Sequence, residues 1–346
     1  MASSGGMMLA MMGLVAALVC PAVASEFISM PTDDVVLPDG LSYDFHAQSC
    51  PNLQDMVRAA VVTARNKDIG VVAGLLRVFF NDCFPNGCDA SLLLEESPHY
   101  LSERMILPHN AGLHEGALNL IESIRNTVHI TCKNVSCADI SMLATREAIM
   151  LSGAPSYDVP LGWMDNFGPA TFDEVDEFLF IPKYSKIFDL VTVFGFRGFD
   201  RTDLAALSGA HTIGKTRCRR VDDRTVTPGD DVEFVNFIKK VCKINPDHRQ
   251  DLDVTTPNTF DNNYYRNLLA GKGVLGSDTE LLLDGVTKDL VEKFAKDQGL
   301  FFSQFGKSMS KVAHISVGAN YGEYRRNCFR PNFIRNLTDE GFVARD

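Results

Sequence analysis

The stretch Gly74-Leu-Leu-Arg-Val-Phe-Phe-Asn-Asp-Cys-Phe-Pro-Asn-Gly-Cys-Asp-Ala-Ser91 constrains this chain more than any other, because eighteen residues hold one arginine, two aspartates and two cysteines. Residues 74–81 read as the end of a buried helix, and a cation there requires an anion or a functional reason. Arg77 is therefore a site candidate. Beyond it, Asp82, Asp89 and Ser91 offer hard oxygen atoms, Gly87 allows a sharp turn, and the carbonyls of Pro85 and Gly87 are able to point inward. Those are the ingredients of a calcium loop. Cys83 and Cys88 are close enough in sequence for a cystine that pins the loop in an oxidising compartment. An acidic loop alone is more often a solvated turn; the combination argues for a site.

The N-terminus points to such a compartment. Residues 7–20 form an uncharged apolar run and Ala22-Val23-Ala24 supplies the small residues a signal peptidase prefers, so residues 1–24 read as a signal peptide and the chain as secreted. The run of about 14 apolar residues is shorter than the ~20 of a spanning helix, and no later segment is long enough, so no membrane span is expected. Of nine cysteines Cys20 leaves with the signal; nine less one gives an even set of eight, at 50, 83, 88, 132, 137, 218, 242 and 328. An even set in an exported chain implies four disulfides, although spacing alone leaves about 105 pairings open. Two sequons, Asn134-Val-Ser136 and Asn336-Leu-Thr338, fit the same route. A net charge of −11 argues against nucleic acid as a partner, since phosphate contacts need clustered lysine and arginine, and it suits a chain with cation sites.

Periodicity makes the class mainly α. Apolar stripes at helical spacing run through 52–67, 113–128 and 137–151, and further helices are expected over 200–210, 232–242, 262–269, 287–296 and 300–313, with almost no two-residue alternation. The irregular stretch Gly153 to Lys186, rich in Pro and Phe, is the expected place for loops around a pocket or a lobe junction. At 346 residues the chain is long enough for one large core or two lobes.

A second constellation lies in Asp203-Leu-Ala-Ala-Leu-Ser-Gly-Ala-His-Thr-Ile-Gly214, which puts His211 at the end of an apolar helix. A lone histidine there is more often a core residue than a ligand. Downstream, Asp253-Val-Thr-Thr-Pro-Asn-Thr-Phe-Asp261 is a second run of carboxylates and hydroxyls spaced like oxygen ligands, and Asp278 follows. An iron-ligating histidine gives its other ring proton to a carboxylate, which fixes its tautomer.

With these motifs the chain resembles the secretory plant haem peroxidases, class III, from Ser42 to about Pro331. The likeness is carried by Asp203 to Gly214, the glycine, cysteine and aspartate positions of the 82–91 loop, Val135-Ser-Cys-Ala-Asp139, Val159-Pro-Leu-Gly162, Phe260-Asp-Asn-Asn-Tyr-Tyr265, Arg325-Arg-Asn-Cys328 and all eight cysteines. The resemblance implies a two-lobed helical fold over residues 25–331, with one haem b between a distal and a proximal lobe and a tail over 332–346. It implies His211 as the fifth iron ligand bonded to Asp278, and cystines 50–132, 83–88, 137–328 and 218–242. Two calcium ions are implied. The distal one would take Asp82, Asp89, Ser91, the carbonyls of Pro85 and Gly87, and Glu103 through water; the proximal one would take Thr212, Asp253, Thr256 and Asp261. Pro160 falls where the family lines the entrance for small aromatic reductants. The implied chemistry reduces hydrogen peroxide to water while phenolic donors return electrons one at a time, in a monomer. Breaking the O–O bond needs a base and a cation; Arg77 is placed as the cation, and Phe80 as the aromatic residue over the haem.

One position departs from the pattern. The family's motif ends Phe-His-Asp-Cys, whereas this chain reads Phe80-Asn81-Asp82-Cys83. An amide donates and accepts hydrogen bonds but has no useful basicity near neutral pH, so a slow peroxidase, or a haem protein without efficient turnover, is expected. Where the family has the asparagine that supports the distal histidine, this chain has His109, so Asn and His look exchanged, and His109 is a candidate relayed base reaching toward Asn81. Trp163-Met164 stands where the family usually has two arginines and His114-Glu115 where it has an Arg-Gly pair, which puts stability or haem-pocket geometry in doubt before chemistry.

Overall fold

Helix α1 (Leu53–Lys67) buries Leu53, Val57 and Val61 on one stripe, with Asp55 in its first turn and Arg65 and Lys67 in its last, so it satisfies both the core and its own dipole. Helix α2 (Gly70–Asn86) differs. Val71, Val72, Leu75, Leu76, Val78 and Phe79 are all buried, the pattern of a helix that is apolar all round and runs through a core. These elements are seen in a computed structural model that describes residues 37–332, apart from 39, 177–185, 223 and 316–320. The expected signal peptide, the sequon at Asn336 and the tail beyond 332 lie outside the described residues.

After the one-turn α3 (Glu103–Ile106), α4 (Glu115–Val128) and α5 (Cys137–Met150) pack against α1 and α2 as a first group of helices. Helix α6 (Phe172–Asp176) packs on α2, and the second group begins with α7 (Ile187–Phe196) and α8 (Arg201–Ser208), the last continuing as a 3-10 turn over Gly209–Thr212. A short antiparallel hairpin pairs β1 (Lys215–Arg217) with β2 (Arg249–Asp251) and encloses α9 (Cys218–Asp222) and α10 (Val232–Ile244). Then come α11 (Asn263–Leu269), α12 (Gly276–Glu280), α13 (Gly285–Lys296) and α14 (Gln298–Ala313), with α13 and α14 packed on α8.

The class is mainly α, as the periodicity indicates. Helices α13 and α14 begin before their apolar patterns do, because Asp284 accepts from the N–H groups of Val286 and Thr287 and Asp297 from that of Leu300; side-chain caps of this kind are worth about 1 kcal/mol each. Helix α2 runs past Asn81, through Asp82 and Pro85, until Gly87 stops it at φ 98°, so the first half of the 82–91 loop is helical. Helix α7 was not legible as an amphipathic element: it is apolar on nearly every side, burying Leu190 and Phe194 while leaving Phe188 and Phe196 76% exposed.

All four cystines implied by the resemblance are present: Cys50–Cys132, Cys83–Cys88, Cys137–Cys328 and Cys218–Cys242. Several motifs that carry the resemblance prove to be scaffold. Asp139, fully buried at the start of α5, accepts from His46 Nε2 at 2.7 Å and from the backbone N–H of Gly162 and Trp163. Asp165 accepts from the N–H groups of Cys137, Ala138 and Arg325, and the buried Arg325 guanidinium donates to the carbonyls of Ala90 and Cys328. Buried charges survive only when so satisfied. The two departures also resolve as packing. Trp163 is 2% exposed in the core. His114 sits in a notch left open by glycines, since a Cβ on Gly74 would lie 2.6 Å from its Cβ, and its Nε2 reaches Asp68 at 3.3 Å.

Candidate functional site

A cavity of about 340 Å³ opens where α2 meets the segment from α8 to β1, and its lining includes Arg77, Phe80, Asn81 and His109 as well as His211 and Asp278. Leu76, Leu190, Phe194, Leu204, Ile213 and Met309 make much of the rest apolar. Its volume lies within the ~300–1,000 Å³ of cofactor and ligand sites.

His211 is carried on the 3-10 turn after α8, and its Nδ1 lies 2.8 Å from Asp278 Oδ1. Asp278 is 2% exposed and is held by Tyr264, whose hydroxyl donates to Oδ1 at 3.1 Å, and by the N–H of Leu275. Burial alone would push the imidazole pKa down, and the neighbouring Asp278 carboxylate more than reverses it, leaving it above the ordinary value. With Nδ1 taken, the remaining ring nitrogen, Nε2, is the one available to a ligand.

On α2, Arg77 is the accessible residue of a buried row, its surface opening onto the cavity. Its guanidinium donates to the carbonyls of His109 at 2.6 Å and Gly112 at 3.2 Å. Desolvation, then the like charges of Arg217, Arg220, Arg219 and Arg249, lowers its pKa to about 10. Phe80 stacks on Phe84 at 4.7 Å. Asn81 is buried, and its Nδ2 donates to Asn110 Oδ1 at 2.9 Å.

Thus the asparagine that meets position 81 is Asn110. His109 lines the same cavity one residue earlier, 8% exposed, with its carbonyl on Arg77. Asn110 is fully buried and donates from Nδ2 to the carbonyl of Glu103 at 3.5 Å, which links the cavity to a cluster of carboxylates.

That cluster comprises Asp82, Asp89 and Glu103, each no more than 5% exposed. Asp82 accepts from the N–H groups of Ala90 and Leu92, Asp89 from the N–H of Ser91 and from Asn166 Nδ2 at 2.7 Å, and Glu103 from the N–H of Ala170. Burial raises all three, Glu103 to about 7, Asp89 above its usual range and Asp82 well above it; the charges of Asp89 and Glu103 add to the rise at Asp82, and that of Asp89 to the rise at Glu103. On the other side of the cavity, Thr212 Oγ1 lies 3.0 Å from Asp253 Oδ2 and 3.3 Å from Asp261 Oδ1, and Thr256 Oγ1 lies 3.4 Å and 3.0 Å from the same two atoms. Among the described residues no three His, Cys, Asp or Glu side chains form a metal cluster by themselves; both groups of oxygens depend on hydroxyls and carbonyls as well.

Comparison with known proteins places this arrangement. A family model described as peroxidase matches residues 57–297. The chain is 40% identical over 303 residues to a cationic peroxidase (SPC4) of Sorghum bicolor, covering 86% of this chain and 83% of the relative. It is 37% identical over 305 residues to peroxidase 12 of Arabidopsis thaliana, covering 86% and 85%, and 35% identical over 299 residues to peroxidase 4 of Vitis vinifera, covering 84% and 92%. This chain belongs to the peroxidase family.

In this peroxidase the sequence candidates fall into three places. Arg77, Phe80, Asn81, His109, His211 and Asp278 share the cavity; Asp82, Pro85, Gly87, Asp89, Ser91 and Glu103 share the 82–103 region; Thr212, Asp253, Thr256 and Asp261 share the other oxygen cluster. Pro160 is buried and is not among the cavity's lining residues. The expected entrance role rests on no contact seen here, because the bridge pairing Leu161 with Ser42 draws its segment into the core. Sequence reasoning missed Asn110, although it directly follows His109. It also missed four arginines of the cavity's rim, at 217, 219, 220 and 249, whose only signal was Arg217-Cys-Arg-Arg220.

Proposed function

We propose that this chain binds one haem b in the 340 Å³ cavity and acts as a secreted peroxidase that reduces hydrogen peroxide and oxidises small aromatic donors, slowed by Asn81. The observation that carries the reading is one apolar chamber whose lining combines the Asp278-bonded His211 with Arg77 and Phe80. The residues fit the group: an imidazole with Nδ1 already engaged offers Nε2 to a metal, and Asp278 makes that nitrogen more electron-donating. When bound, the haem would supply the redox chemistry.

The chain's own residues set the rest. Arg77, held by the carbonyls of His109 and Gly112, presents a fixed positive charge where negative charge develops as the O–O bond breaks. Asn81, with Nδ2 committed to Asn110, offers Oδ1 as an acceptor that orients peroxide without removing its proton. Lack of a general base costs about 100-fold to 10,000-fold in rate. His109, lining the same cavity, is proposed as a relayed base through water.

The Asp82, Asp89, Glu103 cluster and the Asp253, Asp261, Thr212, Thr256 cluster are proposed as two calcium sites, since each gathers carboxylate and hydroxyl oxygens of the hard kind calcium takes, and in the first a cation would relieve the repulsion at Asp82 and Glu103. Secretion is supported by the four cystines and by an exposed Asn134 as a glycan acceptor, and among the described residues no helix is long and apolar enough to cross a membrane. A monomer is the proposed state.

The loss of the distal base favours one second reading, a haem- and calcium-binding protein without efficient turnover. Purified protein with haem tests both: an intense haem absorption band that His211→Ala removes supports the site, and its absence rejects it. Rapid mixing with stoichiometric peroxide then separates them, because a prompt spectral change means an enzyme and an unaltered spectrum means a binder.

A further inference from the structure

The rim of the cavity carries a charge pattern opposite to that of the chain as a whole. Strands β1 and β2 pair in a register that sets Lys215 opposite Asp251 and Arg217 opposite Arg249. The first couple is a salt bridge at 2.7 Å. The second is a like-charge couple at directly opposed positions, an arrangement that destabilises a hairpin unless something negative lies between. Arg217 also reaches across to the far wall: a Cβ on Gly112 would lie 1.7 Å from its Nη2. The carbonyl of that same glycine accepts from Arg77 at 3.2 Å, so two guanidinium groups converge there. Arg219 and Arg220 line the same side. Among the described residues no ion pair of Arg217, Arg219 or Arg249 is seen, and the cavity's one carboxylate, Asp278, is committed to His211. All this stands in a chain of net charge −11.

We propose that Arg217 and Arg249, with Arg219 beside them, form a carboxylate-recognition site at the rim of the cavity. Guanidinium forks match a carboxylate in plane and take both of its oxygens. The apolar lining by Leu190, Phe194 and Ile213 suits the ring or macrocycle that bears it. A local positive field in an acidic protein also draws anions to this mouth rather than to the remaining surface. The carboxylate is that of an incoming aromatic acid, and capture of the porphyrin's own side chains is the other outcome that the test separates. The inference rests on the reading of this cavity as a ligand chamber.

Two comparisons test it. Calorimetry with 4-hydroxybenzoate and its neutral partner 4-hydroxybenzamide addresses an incoming acid. The acid is expected to bind about tenfold more tightly at low salt, with the preference shrinking as salt rises. Arg249→Gln and Arg217→Gln should each bring the acid to the affinity of the amide without moving the amide. Haem against haem dimethyl ester addresses the porphyrin: the same substitutions should weaken haem and spare the ester. Arg249→Lys, which keeps the charge and loses the fork, should retain only part of the preference. A charge-dependent loss with the acid supports the site, and a loss confined to haem, with acid and amide bound alike, assigns the rim to the porphyrin and overturns the proposal. Equal binding of acid and amide overturns it, whatever the effects on haem and ester. Failure of both porphyrins to bind would instead reject the haem reading, and the acid and amide comparison would still decide the rim.

Discussion

Replacing Asn81 with histidine gives the cavity a base while reusing a contact already in place. The present Nδ2 donates to Asn110 Oδ1 at 2.9 Å; an imidazole Nδ1–H takes over that bond and leaves Nε2 toward the cavity. Arg77 is already fixed by two carbonyls, so the cation that the base works with needs no rebuilding. Restored proton transfer is worth about 100-fold to 10,000-fold, or roughly 2.7–5.4 kcal/mol of barrier. The positive charges of Arg77 and the rim disfavour a second cation, so the new imidazole should titrate below its ordinary ~6.5. Only the neutral ring accepts a proton, so the rate should rise as pH climbs through that value and stay flat above it. Stopped-flow mixing of haem-loaded Asn81→His with peroxide at pH 5 to 8 reads both effects. A gain below about threefold, with an intact haem band, would refute the argument that a missing base is the defect. Asn81→His with Asn110→Ala should lose about tenfold or more of the gain, since orienting partners are typically worth 10–100-fold.

His109→Ala reports on the relay: a drop in residual peroxide reactivity supports it, and an unchanged rate ends it. Asp278→Asn should lower the pKa of His211 in haem-free protein, seen by NMR titration, and weaken haem binding about 10-fold to 100-fold. Chelation of calcium should make stability fall as pH rises. Glu103 is raised from 4.5 to about 7, so between those values the folded state holds more protons than the unfolded one, and about 3 kcal/mol is lost across that window from this group alone. Added calcium should abolish the fall; a chelated protein whose melting temperature is flat from pH 5 to 8 contradicts the cluster's role. Gly112→Ala should destabilise by about 1–3 kcal/mol, because φ there is +67° and the new Cβ would strike Arg217; denaturant titration reads it.

The class, most helices and all four cystine partners were legible from apolar spacing and motif likeness. The missed features share a physical cause. Helix α7 has too few polar residues to mark a period, and the extension of α2 through Pro85 overrides a residue that usually ends helices. Asn110 was overlooked because sequence fixes which residue follows which, while one step along an irregular segment decides which amide meets Asn81. The arginine rim was invisible because Arg217 and Arg249 are far apart in the chain and meet only through a three-residue ladder. The motifs at Asp139 and Arg325, which carried the resemblance without an assigned role, are buried anchors whose partners no sequence spacing could name.

The cystine between Cys137 and Cys328 has its two sulfurs 191 positions apart. A chain synthesised from its N-terminus therefore exposes Cys137 long before its proper mate is made, with Cys132 as a nearby rival. The last covalent clasp on the core waits for nearly the whole polypeptide to be made. A product truncated before Cys328 would thus be marked by a thiol left open at the start of α5.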